Sequence, residues 1–428
     1  MDLPLGGSNF TWSKGGNSAT MLRIDRALIS TEFDSLFPDC TLSALERVDS
    51  DHNPLWIKWG DDKRIRRPWR FENMWLKDES FFASLDSWLF DLVAGSGCIF
   101  LLYRMLQQIK KRIKVWNKEI FRNVNDKVDD LLRRIKAVHL IEEIANLLIP
   151  RELRGELQNA LNLQEIRWRQ KSNELWLKGG DLNTKFFHRV ANYRRKLNLI
   201  ECIRVYGRLL EGREELAAGV VGFYQNLFKE SLVYIPFPKN YGQQKLCNTL
   251  ASDLVRPFNE AEEWAALESF DGGKSPRPDG FTYEFFKKCW FQLRSEVMQA
   301  FEELHRTCTL PKSVAHSFIC LVQKKDAVED VKDLRPISLM RSFNKLLSKV
   351  LIVRMSPFIS FLVSDHQHAS VRGRQISEVG LIANELIDSR RKSKKPGLMF
   401  KLYLGKVFDN VSMDCLFKIL SSFGFPLK

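Results

Sequence analysis

Three short stretches hold residue types suited to phosphate chemistry. Ser50-Asp51-His52-Asn53-Pro54 sets a carboxylate beside an imidazole at a strand start. Such a pair can hold a divalent metal and touch a scissile phosphate, or it can simply cap a loop. Gly179-Gly180-Asp181-Leu182-Asn183-Thr184-Lys185-Phe186-Phe187-His188 is a polar turn running into an aromatic helix start. It reads as a helix N-cap with a hydrophobic staple, or as a nucleic-acid contact supported by Arg189, Arg194, Arg195 and Lys196. Gln323-Lys324-Lys325 and Leu334-Arg335-Pro336-Ile337-Ser338 place fixed cations on a strand–loop–strand. Cations held that way could clamp a triphosphate, or be ordinary hairpin surface charge.

The elements that must carry these stretches differ in texture along the chain. Residues 1–58 are Gly-rich and then strand-like, at Asn9–Ser13, Leu22–Ile24, Ala27–Ser30 and Leu55–Trp59, with Gly6–Gly7 and Gly15–Gly16 marking turns. From Ile99 to Ile149 there is no Gly or Pro, and Leu102, Leu106, Ile109, Ile113, Trp116, Ile120, Val124, Val128, Leu131, Ile135 and Val138 recur at spacings of three and four. That predicts one amphipathic helix or a broken pair, stopped by Pro150, with a further helix from Arg151 to about Lys178. Lys110, Lys111, Arg112, Lys114, Arg133, Arg134 and Lys136 fall on its polar side, as a solvated face or a backbone-binding one. Beyond Phe258 helices and strands alternate. Helices are expected over Glu260–Phe270, Tyr283–His305, Ser342–Phe361, Ile376–Lys392 and Met413–Phe423, and strands over Ser317–Lys324, Leu334–Leu339 and Leu398–Leu404.

The 428 residues are 44% hydrophobic and 28% charged, which suits two to three folded domains and excludes a disordered or collagenous chain. Net charge is +14, and residues 101–200 hold 22 Lys/Arg against 11 Asp/Glu. Screening confines a field to about 10 Å, so this concentration favours an acidic partner, nucleic acid before membrane. The eight cysteines are scattered without a C-x-x-C pair, as expected of reduced thiols in an intracellular protein, nuclear or cytoplasmic. Met1 opens into Asp2 and a Gly/Ser loop rather than a secretory signal, and the apolar run Cys98–Tyr103 is too short to span a bilayer.

Taken together, the motifs resemble a plant LINE-type non-LTR retrotransposon polyprotein. SNFTWS (8–13), RIDRALIS (23–30) and SDHNP (50–54) are similar to the last strands of an apurinic-type endonuclease, and GDLNTKFFH (180–188) to the connector before a reverse transcriptase. GGKSPRPDGFTYEFFK (272–287), DLRPISL (333–339), VRGRQISEVGLIANELID (371–388) and KLYLGKVFDNV (401–411) resemble successive fingers and palm blocks. The resemblance implies an α+β chain. Residues 1–58 would be the C-terminal end of the endonuclease β-sandwich, 59–200 a basic helical connector, 201–257 a linker, and 258–428 the fingers and an incomplete palm. It implies RNA-directed DNA synthesis with Mg²⁺, an RNA template and a DNA primer or target, and no membrane. The oligomeric state is left open.

The same resemblance assigns individual residues. Asp25 would orient His52, and Asp51 would lie at an endonuclease metal. Lys324, Lys325 and Arg335 would meet the triphosphate, Gly373 and Arg374 the template, and Phe408 the incoming sugar. The first palm metal position, two residues after Lys401, holds Tyr403. A phenol with a reference pKa near 10 cannot bridge Mg²⁺ as a carboxylate does. Arg277 and Gln323 also depart from the usual glycine and proline. The Asp-Asp hairpin of the palm is not found before Lys428, so the expectation is a catalytically inactive fragment, truncated at both ends. The alternatives are a non-catalytic RNA- or DNA-binding module using the basic helices, and a helical protein-interaction scaffold.

Overall fold

A computed structural model describes residues 1–6, 10–14, 20–45, 50–60, 68–90, 99–141, 151–172, 184–229, 244–325, 328–394, 396–402 and 411–426. The strands are β1 (Leu5–Gly6), β2 (Trp12–Lys14), β3 (Thr20–Leu22), β4 (Thr41–Ala44), β5 (Leu55–Lys58), β6 (Cys202–Val205), β7 (Arg208–Glu211), β8 (Phe318–Gln323) and β9 (Leu334–Leu339). The helices before the first hairpin of the middle region are α1 (Thr31–Leu36), α2 (Glu79–Phe90), α3 (Ile99–Trp116), α4 (Val124–Ile141), α5 (Arg151–Ser172) and α6 (Thr184–Leu197). Those after it are α7 (Arg213–Leu227), α8 (Asn248–Leu254), α9 (Glu260–Glu268), α10 (Tyr283–Lys288), α11 (Trp290–Thr307), α12 (Lys312–Ala315), α13 (Ser342–Leu362), α14 (Ile376–Ser393) and α15 (Met413–Ser422). The chain is mixed helix and sheet, α+β, with small sheets and many helices. It divides into two compact units, Met1–Val220 with Leu267–Lys345, and Val221–Ala266 with Leu346–Lys428.

In the first unit β4 lies between β1, parallel to it, and β5, antiparallel to it. Strand alternation sends Leu5 and Leu42 to one face, where Leu3, Cys40, Ile29, Phe33, Phe37 and Leu55 close a small apolar core. Ser30 caps α1 by accepting from the Phe33 N–H at 3.1 Å. Residues Ala27–Ser30, expected as a strand, contribute only an isolated bridge, Leu28 to Asp2. The long amphipathic run is a broken pair. α3 buries Leu102, Tyr103, Leu106, Ile109, Ile113 and Trp116, a π-helical turn follows at Asn117–Phe121, and Arg122 takes a left-handed φ of 62° before α4 begins.

The segment Trp69–Trp75 packs into the turn 279–286 of the same unit. The Phe71 N–H donates to the Gly280 carbonyl at 2.7 Å. Phe71 meets Phe285 at 4.9 Å between ring centroids, and Trp69 meets Phe281 at 5.3 Å. Gly280 has φ +97°, and a Cβ there would come within 2.5 Å of the Trp69 ring, so glycine is required twice over. The expected helix Tyr283–His305 is broken at Cys289, whose backbone ends α10 and starts α11.

The second unit is organised around Arg354 of α13. Its guanidinium donates to the carbonyls of Leu254, Arg256 and Pro257 and to Glu262, and lies 4.2 Å from the Phe258 ring centroid. The described residues 396–402 form no strand, so the expected strand over Leu398–Leu404 finds no ladder partner in that part. No helix among the described residues is long and apolar enough to cross a membrane.

Candidate functional site

The N-terminal constellation is built by the β2–β3 hairpin and the strand start at residue 52. Thr11, fully buried, accepts from the Ile24 and Asp25 N–H groups at 3.1 and 2.9 Å, which fixes the backbone at Asp25. Opposite it, the Asn53 N–H donates to the Thr11 carbonyl and the Ser13 N–H to the Asp51 carbonyl. Asp25 Oδ2 then lies 2.9 Å from His52 Nδ1. The His52 contact foremost, and the Thr11 hydroxyl after it, hold the Asp25 carboxyl below its ordinary range. With Nδ1 bonded to an ionised carboxylate, Nε2 is the imidazole nitrogen left for chemistry. Asp51 is turned elsewhere, its Oδ2 accepting from the Trp12 indole N–H at 2.7 Å. Thr11 and Trp12 are the positioning residues that inspection of single residues passes over. Their signal in the sequence is the SNFTWS string itself.

The four cations after the 180–188 motif sit on α6, and three of them are engaged. Lys196 pairs with Asp34, both side chains 2% exposed, and Asn192 donates to the same carboxylate at 3.0 Å. Arg195 pairs with Asp39, and Arg194 donates to the Ser172 carbonyl. Arg189 is exposed. The helix thus clasps the N-terminal sheet region and the end of α5, a structural task the charge pattern did not reveal.

On the β8–β9 hairpin, Val322 faces Arg335 across the ladder, and Lys324 and Lys325 lie in the bend that follows β8. The Lys324 ammonium donates to the Lys332 carbonyl, and Lys325 pairs with Asp333 at 3.0 Å, which keeps its ammonium above the ordinary value. Arg335 is exposed and pairs with no carboxylate among the described residues.

In the second unit, Gly373 takes φ +85° in open space. Arg374 is spent on the chain itself: it donates to the carbonyls of Ser360, Val363, Ser364 and Gln367, closing the C-terminal end of α13. Tyr403 and Phe408 lie outside the described residues. No three His, Cys, Asp or Glu side chains come together as a metal site among the described residues.

Residues 322–428 match the family model described as reverse transcriptase (RNA-dependent DNA polymerase). The match covers the C-terminal quarter of the chain. It takes in the hairpin cations, α13, the Arg374 knot, α14 and the stretch holding Tyr403. Along nearly its whole length the chain is also similar to the Transposon TX1 uncharacterized 149 kDa protein of Xenopus laevis, with 24% identity over 425 residues, 94% of this chain. It spans 32% of that relative's length.

Proposed function

We propose that the chain is part of a non-LTR retrotransposon reverse transcriptase of the LINE type, one that does not itself join nucleotides. The reverse transcriptase match over residues 322–428 carries the reading. The similarity to a transposon protein across the remaining length supports it. Within the match, Lys324 just past β8 and Arg335 on β9 put two cations on one strand–loop–strand, an arrangement suited to a triphosphate. The reaction in this family is nucleotide transfer to a primer along an RNA template, with Mg²⁺ held by palm carboxylates. Tyr403 stands at the first of those positions. A neutral phenol does not supply that charge at pH 7, so nucleic acid would be held without being extended. The Asp25–His52 pair, 2.9 Å apart, is the trace of an apurinic-type endonuclease in residues 1–58.

Primer extension tests the reading. Purified chain given an RNA template, an annealed DNA primer, deoxynucleotides and Mg²⁺ should leave the primer at its starting length. Processive extension under those conditions would overturn the claim of inactivity.

A further inference from the structure

Helix α3 carries Arg104, Lys110, Lys111, Arg112 and Lys114 and not one Asp or Glu in its 18 residues. An ordinary solvated helix face interleaves the two signs at i,i+4, and like charges at that spacing repel. The neighbouring helix α4 does interleave them: Asp126, Asp129 and Asp130 stand among Lys127, Arg133, Arg134 and Lys136. There Arg133 meets Asp130 and Arg134 meets Glu156. α3 therefore departs from the pattern of its own surroundings.

At about 100° per residue, Arg104, Lys111 and Lys114, with Lys118 in the following π-helical turn, fall within about 80° of arc. That arc lies opposite the buried stripe of Leu102, Leu106, Ile109 and Ile113. All four are exposed, and among the described residues none pairs with a carboxylate. Glu119 is the first acid after the start of α3. Lys110 is set apart. Its ammonium lies 5.1 Å from the Trp69 ring centroid, and burial, with Lys114 after it, pushes its pKa down. Phe100, 49% exposed, falls in the same arc as Lys111 and Lys118. Arg104 to Lys118 spans about 21 Å of helix, several nucleotides of a strand at about 3.4 Å each.

We infer that this face of α3 binds single-stranded RNA, with Arg104, Lys111, Lys114 and Lys118 following the phosphates and Phe100 stacking on a base. A row of unopposed cations matches a polyanion, and an exposed ring in line with it suits unpaired bases rather than a closed duplex. The choice of RNA rests on the reading proposed above. The phosphate-tracking face itself does not.

The test uses the full chain and a fluorescein-labelled 15-nucleotide oligouridine, with anisotropy read across a salt series. Replacing Arg104, Lys111, Lys114 and Lys118 together by Gln should weaken binding at least tenfold. It should also flatten the log–log salt slope by about 0.7 per cation, nearly 3 in all. Replacing Lys127, Arg133 and Lys136 of α4 by Gln should leave the slope alone. Phe100→Ala should weaken binding with the slope intact. An unchanged slope in the α3 variant, or an equal loss in the α4 variant, overturns the proposed face. An inert Phe100→Ala removes the stacking contact. Equal affinity for oligothymidine overturns the choice of RNA. Because extension is not the readout, primer extension by the chain would refute the inactivity above and leave this face standing.

Discussion

Glu263 has been folded into a place where its charge has no answer. Its side chain is fully buried, and among the described residues neither carboxylate oxygen has a hydrogen-bond partner. Burial, and then the neighbouring Glu262 and Glu260, push its pKa from 4.5 up to about 8. The sign of the linkage follows. Below the ordinary carboxylate value both folded and unfolded chains hold the proton, and Glu263 costs nothing in charge. As pH rises from about 4.5 towards 8 the unfolded chain gives up that proton first, so folding is disfavoured increasingly. Glu263→Gln should therefore gain thermal stability over the native chain at pH 8.5 and little at pH 5, the difference being on the order of a few kcal/mol. Melting curves of both proteins at the two pH values measure it, and parallel curves would refute it. Asp25 is the opposite case, a carboxylate whose answer is in reach. The pairing with His52 was legible because both residues lie in recognisable strings. Glu263 was not, because nothing in Glu260–Glu268 tells which of its acids faces inward.

At the scale of elements, the engaged C-terminal end of α6 decides how residues 31–39 are held. Lys196 and Asp34 form a buried pair across 162 residues of chain. Removing one partner of such a pair strands the other charge, so Lys196→Ala should cost about 3–5 kcal/mol. Lys196→Met combined with Asp34→Leu should recover most of it. Denaturant titration of the native chain and the two variants checks the order, and a double variant no more stable than Lys196→Ala would place the cost elsewhere. Helix positions were largely visible in the sequence, since apolar residues at three and four recur wherever α3, α4, α11 and α13 stand. The breaks were less so: the π-helical turn at 117–121 and the interruption at Cys289 come from packing, not from a Gly or Pro signal. Least visible was which cations are already used. Arg189, Arg194, Arg195 and Lys196 look alike in the sequence, yet the partners of the last three lie far along the chain, and pairings of that kind leave no local pattern.

For the whole molecule, charge and apolar exposure pull in different directions. A net charge of +14 favours dispersion. Yet in the second unit Leu398, Phe400 and Leu402 are 88, 78 and 83% exposed, and α14 presents Ile376, Leu381 and Leu386 to solvent as well. Apolar backbone without a ladder partner invites pairing with another chain. Leu398→Lys with Leu402→Lys should lower the light scattering of the chain at 150 mM salt (a value near about 0.15 M, where surface charge is largely screened). Unchanged scattering would show that this segment is not the sticky one.

The bond from Phe71 to Gly280 joins residues about half the chain apart, with the Trp69 ring filling the space a side chain at 280 would need. The stretch that precedes α2 is therefore part of the hydrophobic interior of the turn it reaches. In lineages that shuffle such genes by recombination, a crossover falling between these two stretches would unite a ring with a turn that has no hollow for it. The two would have to be inherited together, so the unit of exchange here is larger than the span that motif strings mark off.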